Sequence, residues 1–523
     1  MLSLTTEVLV IGGGATGAGV AWDASLRGLD VILVDRGDLA EGTSGRFHGL
    51  VHSGGRYVVK DAPAARECIA ENRILRRIAA DCIEDTGGLF VTTPWDDPAY
   101  ADRFARACAA SDVDCEEISA AQALREEPRL NPRISRAFRV PDASMDIWKT
   151  VWAMAHGAEQ RGARILPYHE VTAIRRDGDQ VAGARAHDTR GGEDIEIEAQ
   201  VTVNASGAWA GRIAAMAGIE GVRVFPGRGI MIAMNHRLVN TVINRCQMPA
   251  DGDILVPIRT VSVIGTTDEH TDDPDDHTVQ QAEVDRMLDD GERLVPGFRQ
   301  ARALRVWTGV RPLFEDAKAT DTATRDVTRA HALLDHRVRD GVGGFVTITG
   351  GKVTTYRLMA EETVDAVCEI LGRSAPCTTA GEPLPGSEGG GNYRVGERLA
   401  RKEESLLDEQ VICECELVSR AKLEQALSSS GSTNLDDIRR RLRLGMGPCQ
   451  GGFCIYRAIG IMNRADGLDV EQSNRSLTEF LQERWKGLWP ILYGDQLRQM
   501  RFDEWIFHGV LDIDHLPTGE ASR

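Results

Sequence analysis

Residues 6–37, "TEVLVIGGGATGAGVAWDASLRGLDVILVDRG", decide how the rest of the chain is read. An unbroken apolar run, a glycine turn, a helix-like stretch and a second apolar run ending in an acid make a βαβ unit. Gly12, Gly14 and Gly17 fit G-x-G-x-x-G between strand and helix. The first permits a tight turn, the second lets backbone approach a pyrophosphate, and the third allows close helix–strand packing, with the helix N-terminus offering N–H groups to the anion. Asp35, 18 residues after Gly17, stands where a ribose hydroxyl would be accepted. The unit predicts a dinucleotide-binding domain.

The chain outward from this unit is too long for one core. Its 523 residues imply two to four domains, and 42% hydrophobic with 27% charged residues make it globular. A net charge of −18 argues against nucleic acid as a partner, because phosphate backbones bind positive surfaces. The N-terminus enters a strand without a basic region or cleavage site, so the cytoplasm is the expected location. Only seven of the 61 basic residues are lysine, a bias consistent with genome composition or salt adaptation. Of eleven cysteines, seven (Cys68, Cys82, Cys108, Cys115, Cys246, Cys368, Cys377) share no spacing and read as small core residues.

Further along, 60–125 reads as helices around the short strand "GGLFVTTP", and the runs from "GARILPYHEV" to "VTVNASGAW" read as a β-meander returning to the first domain. Segment 225–311 reads as strands ending in helix, and "FVTITGGKVTTYRLMAEETVDAVCEILG" as strand, glycine turn and long helix. The Gly- and Pro-rich stretch around 378–396 reads as an interdomain linker. The expected boundaries are 1–375, a linker 376–404, a four-cysteine domain 405–465 and an aromatic-rich tail 466–523.

The segment "LAEGTSGRFHGLVHSGGRY" (39–57) resembles the flavin-binding segment of the D-amino-acid-oxidase-like (DAO) superfamily, which favours FAD over NAD. The resemblance implies Thr43 and Ser44 near the pyrophosphate, and Ala205 and Gly207 of "VNASGAWA" approaching the cofactor. It also implies Gly350, Gly351, Lys352 and Thr354 of "ITGGKVTTYR" bordering the flavin, with Val171 of "HEVTAI" meeting the adenine through its backbone. The implied fold is α/β: a Rossmann-type FAD-binding domain with an inserted antiparallel-sheet substrate domain, followed by a small helical C-terminal domain and tail.

"HSGGRY", "VIGTTD", "WTGVRPL", "VTRAHALLDH" and "GGKVTTYRLMAE" occur in the order found in FAD-dependent glycerol-3-phosphate dehydrogenases, which the chain resembles nearly end to end. "VINRCQMPADGDILVP", the cysteine segment and "FLQERWKGLWPILYGD" resemble the catalytic component of the anaerobic branch. This implies oxidation of sn-glycerol 3-phosphate to dihydroxyacetone phosphate, with electrons passed to a quinone-linked acceptor. It also implies partner electron-transfer subunits that hold the protein at the inner face of the cell membrane. A phosphate dianion demands cations, and planar guanidinium suits it bidentately. Arg56, Arg311 and Arg329 match the family's substrate arginines, with Tyr57 as a hydroxyl partner and Lys352 beside the flavin. His52 is the first candidate base, since neutral imidazole accepts a proton near neutrality. Asp268 is the second. The aerobic relatives carry a histidine where this chain has Gly229 and Ile230, so the base stays open. Rival readings are a DAO-like dehydrogenase of another 2-hydroxy acid or amino acid, and a non-catalytic redox module.

"VICECELVSR" (411–420) and "GMGPCQGGFC" (445–454) bring Cys413, Cys415, Cys449 and Cys454 into a C-x-C…C-x4-C pattern. Four thiolates suit zinc or an iron–sulfur cluster, and the C-x-C spacing leans to the cluster. The pattern resembles the bacterioferritin-associated-ferredoxin-like [2Fe-2S] domain, with Cys454 opening a helix. Arg439, Arg440, Arg441 and Arg443 nearby read either as a solvated helix face or as a local field on the cluster. In the tail, Phe480, Trp485, Trp489, Phe502, Trp505 and Phe507 either cover the tail's own fold and dock it, or form a patch for partner subunits.

Overall fold

The computed structural model describes residues 2–314, 330–404, 410–430, 434–465 and 468–516. The opening unit folds as its pattern predicts. Strand β1 (Leu2–Ile11) leads into helix α1 (Ala15–Leu26) and strand β2 (Val31–Val34). Val8, Leu9, Val10 and all of β2 are fully buried, as continuous apolar strands are when both faces of a parallel sheet are covered. β1 lies between β2 and Asp194–Asn204, parallel to both. Arg164–Leu166 extends the sheet beyond β2, and Phe345–Gly350 extends it beyond Asp194–Asn204. The first half of Asp194–Asn204 also closes an antiparallel meander with His169–Asp177 and Gln180–Asp188.

A second sheet of nine strands carries the inserted half of the molecule. Its long pair, Val224–Met234 with Ala303–Phe314, runs antiparallel from Val224 opposite Phe314 to Met234 opposite Ala303. Gly88–Thr92, the short strand expected within 60–125, joins this sheet parallel to Val242–Arg245. Five of the seven scattered cysteines are buried, and Cys115 and Cys377 are half-buried.

The stretch read as a linker is fastened along the first domain. Leu384 is 1% exposed in that domain's core and its N–H donates to Ile78 O at 2.7 Å, while Tyr393 N–H donates to Ile83 O. A helix, Val395–Glu404, follows. Beyond it, Arg420–Ser430, Leu435–Leu442 and Ile455–Ala465 pack around Ile412, Leu423, Ile438 and Met462. The tail supplies a large part of this core: Leu477, Phe480, Leu481 and Phe507 are buried in it. Leu488 and Ile491 insert instead among Ile232 and Ile264 of the second sheet and Met287 of the helix Gln281–Leu294 packed on it. The tail thus clamps the four-cysteine unit to the second sheet. Other tail aromatics stay outside, with Trp489 86% and Trp505 68% exposed.

The arginine-rich helix Leu435–Leu442 is no solvated face. Arg440 is buried and donates to Asp38 at 2.7 Å and to Asp437 at 2.7 Å. Arg190 donates to Asp437 at 2.9 Å, and Arg441 lies 3.6 Å from the centre of the Trp152 ring. Arg439 pairs with Asp436 at 3.0 Å and Arg443 with Glu416 at 3.1 Å. The run of positive charge docks the C-terminal unit on the dinucleotide domain, beside the glycine loop.

Candidate active site and thiol centre

The glycine loop is packed so tightly that side chains are excluded. A Cβ on Gly17 would land on the Gly12 carbonyl oxygen, and one on Gly12, whose φ is +110°, would sit 2.7 Å from Ala205 O. Ala205 thus walls the loop. The first turn of α1 has neither an N-cap side chain nor an acidic residue, which leaves the N–H groups after Ala15 to an anion. Ser44 Oγ accepts from Ala15 N–H at 2.9 Å and keeps its own O–H to donate, whereas Thr43 spends its hydroxyl proton on Val310 O at 2.6 Å. Asp35 accepts from Gly13 N–H at 2.6 Å and Gly37 N–H at 2.9 Å. Burial pushes its pKa up to about 6, so it is a carboxylate at neutral pH with lone pairs left for ribose hydroxyls. His169 N–H donates to Asp35 O, and Val171, two residues on, has its side chain in the core.

One cavity of about 510 Å³ gathers Gly14, Thr43, Ser44, Gly207, Gly350 and Gly351 with His52, Arg56, Tyr57, Asp268, Arg311 and Lys352. Gly207, Gly350 and Gly351 have φ of +60°, +80° and +70°, conformations in which glycine bares its backbone. Gly12, Gly17, Asp35, Val171 and Ala205 support this cavity from outside its lining. So does Thr354, which is 1% exposed and whose hydroxyl accepts from His52 N–H at 3.0 Å. Arg329 lies outside the described residues.

The substrate end is organised by ion pairs. Arg311 donates to Asp268 at 2.7 Å, to Thr267 O at 2.7 Å and to the Thr266 hydroxyl. Asp268, the second candidate base, therefore serves as the brace that aims Arg311. Arg56 pairs with Asp253 at 2.7 Å; burial works to lower its pKa, and that carboxylate raises it by more. The Lys352 ammonium is 3.8 Å from Glu67 and 5.5 Å from the centre of the Tyr57 ring, which is 5.3 Å from that of His52.

A second imidazole, His48, joins the site without having been marked by any motif, although it stands four residues before His52. It lines the same cavity, 6.1 Å from the His52 ring, and its Nδ1 accepts from Leu50 N–H at 3.2 Å. Burial first, then the charges of Arg56 and Arg311, push its pKa down to about 3. The spacing of two histidines in 48–52 was the available signal; the convergence of Arg56 and Arg311 on His48 was not.

The four cysteines meet as two pairs. Cys415 and Cys449 sulfurs are 3.7 Å apart, and Cys413 hydrogen-bonds with Cys454. The shared proton draws Cys449 down to about 6 and also lowers Cys413, helped by N–H donors of Gly451 and Phe453 to the former and of Gly445 and Glu416 to the latter. In each pair one thiol is thus drawn towards the thiolate, the form that ligates metal. Among the described residues no group of three or more His, Cys, Asp or Glu converges as a single-ion site. Two two-thiol corners suit a two-iron cluster.

Comparison with known proteins agrees with both halves. Residues 7–362 match the FAD dependent oxidoreductase (DAO) family and residues 411–464 the BFD-like [2Fe-2S] binding domain. The chain is 45% identical to the A subunit of anaerobic glycerol-3-phosphate dehydrogenase from Escherichia coli K12, over 98% of each chain. It is 43% identical to the A1 subunit of the Haloferax volcanii enzyme, over 98% of this chain and 92% of that one. The fold is shared with the glycerol-3-phosphate dehydrogenase of Bacillus halodurans complexed with FAD (TM-score 0.68, 21% identity, 94% of this chain and 96% of that one). Glycine oxidase of Geobacillus kaustophilus shares it as well (TM-score 0.57, 22% identity, 73% and 98%). A dinucleotide cradle open to a cationic cavity, joined to a paired four-thiol unit, accords with these likenesses, and the chain belongs to the FAD-dependent oxidoreductase family formed by the A subunits of anaerobic glycerol-3-phosphate dehydrogenases.

Proposed function

We propose that this chain oxidises the C2 hydroxyl of sn-glycerol 3-phosphate, giving dihydroxyacetone phosphate. The reading rests on one cavity shared by the glycine loop, the guanidinium groups of Arg46, Arg56 and Arg311, and two imidazoles. When bound, FAD supplies the hydride acceptor and the [2Fe-2S] cluster a one-electron relay. Arg56 and Arg311, each fixed by a carboxylate, hold the phosphate. Tyr57 and Lys352 flank the C2 oxygen. His52 takes the hydroxyl proton as C2–H leaves as hydride and the carbonyl forms. His48 is too weakly basic for that task, because general bases work best with pKa near the working pH.

Cys413, Cys415, Cys449 and Cys454 hold the cluster, and electrons leave through partner subunits towards quinone. Phe453, between two of these cysteines, is 41% exposed and its ring lies 5.6 Å from that of Phe502. These rings make an apolar surface at the thiol unit that suits a partner protein. Peripheral attachment to the membrane follows through such partners; among the described residues no helix is long and apolar enough to cross one. The test is anaerobic titration of the purified protein with glycerol 3-phosphate. Bleaching of the flavin band supports the reading, and an unchanged spectrum overturns it. Arg311→Lys separates a phosphorylated substrate from a 2-hydroxy acid: loss of charge-assisted hydrogen bonds worth about 1.5–3 kcal/mol should raise KM about 10- to 150-fold for the phosphate ester alone.

A further inference from the structure

A second cavity, of about 390 Å³, lies where the start of helix Ile147–Glu159, helix Val395–Glu404 and the four-cysteine unit meet. Nine basic and only three acidic side chains line it. In a chain of net charge −18 this concentration is anomalous, and Lys149, Lys402 and Lys422 are three of just seven lysines in the whole sequence. Some of the charge is already matched: Lys149 pairs with Asp81, Arg259 with Asp146, and Arg443 with Glu416. Arg398, Lys422 and Arg441 have no carboxylate ion pair among the described residues; Arg398 reaches only the Leu417 carbonyl at 3.5 Å, and Arg441 Nε is buried without a hydrogen-bond partner.

Clustered cations without counter-charge repel one another, and a fold keeps them together at a cost that a bound anion removes. The strain is visible at Lys422. It keeps contact with solvent along its length, yet desolvation of its ammonium and then the charges of Arg398, Lys402 and Lys149 push its pKa down to about 8. The same causes, burial and then Arg398, lower Lys402. The Tyr393 ring sits under two of the guanidinium groups, 4.1 Å from Arg259 and 5.4 Å from Arg398, which holds them in fixed planes. Planar guanidinium forks beside ammonium groups suit phosphate oxygens, and three unmatched charges call for a multivalent ligand.

We infer that this cavity binds an anion carrying two or more phosphate groups, and that the ligand fastens helix Val395–Glu404 and the four-cysteine unit to the dinucleotide domain. The site is separate from the substrate cavity, shares none of its residues and leaves glycerol 3-phosphate turnover to the first cavity.

The test uses the full-length protein loaded with FAD and cluster, and sodium tripolyphosphate as the probe, by calorimetric titration at fixed ionic strength. Saturable binding is expected. Arg398→Ala/Lys422→Ala should weaken it at least tenfold, while Lys422→Arg and the remote Lys486→Ala keep it, and all variants retain glycerol 3-phosphate oxidation with an artificial dye. Flotation with phosphatidylcholine vesicles containing cardiolipin distinguishes a lipid headgroup from a soluble ligand. Binding in either arm that the double variant loses supports the site and names its source. Absence of binding in both arms, equal binding by the double variant, or tighter binding of an oligoglutamate peptide than of tripolyphosphate would overturn it.

Discussion

Arg440→Ala should loosen the grip of the four-cysteine unit on the dinucleotide domain by an amount that depends on pH. Arg440 bridges Asp38, 1% exposed, and Asp437, 1% exposed. After its removal Asp437 keeps Arg190 and the Tyr168 hydroxyl, but Asp38 loses its ion-pair partner and keeps only the weaker influence of Arg441. Burial, moderated by Arg440, already holds the Asp38 pKa at about 6. Without the guanidinium Asp38 takes up a proton at pH 7, which costs about 1.4 kcal/mol for the one unit separating that pH from the present pKa. The lost charge-assisted bond to Asp437 adds about 1.5–3 kcal/mol. The total, about 3–4 kcal/mol, lies at the lower end of what breaking a buried ion pair costs. The sign with pH follows from linkage: Asp38 binds its proton more tightly folded than unfolded, so acid favours the docked form, and deleting Arg440 extends that window upward. The variant therefore recovers about 1.4 kcal/mol between pH 7 and pH 6, where the wild-type carboxylate is itself half protonated. Native-state hydrogen exchange of the amides in Leu435–Leu442 reads this directly, with protection expected to fall about 10²- to 10³-fold at pH 7 and less at pH 6. A fall of under tenfold, or one that is the same at both pH values, would refute the reasoning, as would failure of Asp38→Asn to restore protection in the Arg440→Ala background.

Three further outcomes follow. Gly17→Ala forces a methyl onto the Gly12 carbonyl, so the variant should purify without flavin absorbance while its iron–sulfur spectrum persists; retention of FAD would contradict the packing argument. His48→Asn should flatten the acid limb of stability: unfolded His48 takes a proton below about pH 6.5 and the folded ring only near 3, so wild-type stability falls by about 1.4 kcal/mol per unit across that interval and the variant lacks this slope, as thermal midpoints at pH 6.5, 5.5 and 4.5 would report. Cys415→Ser should abolish the cluster's paramagnetic signal after reduction and leave flavin bleaching by glycerol 3-phosphate intact; metal analysis giving one zinc and no iron in the parent protein would sink the two-corner reading.

Much of the site was legible because its determinants are local. Gly12, Gly14, Gly17 and Asp35 lie within one βαβ unit, so turn, close approach and acid are all written in a few tens of residues. The thiol spacing likewise pointed to a cluster, since C-x-C places two sulfurs on one short loop. Arg311 could be nominated from its motif, but its brace could not: Asp268 lies 43 residues away and meets it only through the strand pairing of the second sheet. His48 shows its surroundings only in the fold, where burial and then the charges of Arg56 and Arg311 lower its pKa.

What the amino-acid sequence determined by itself was the chemistry of short segments: a phosphate-cradling turn, four clustered thiols, guanidinium groups in recognisable motifs and an acidic surface. Tertiary structure alone decided where the remaining charge went. "IRRRLRLG" carries no mark of its partners, yet Arg440 finds Asp38 some 402 positions earlier, and Arg398, Lys402 and Lys422 converge with Lys149 on one hollow. Hydrogen-bond geometry and helical period are set by neighbours in the chain, whereas desolvation and charge compensation are set by neighbours in space, and only the folded protein brings those together.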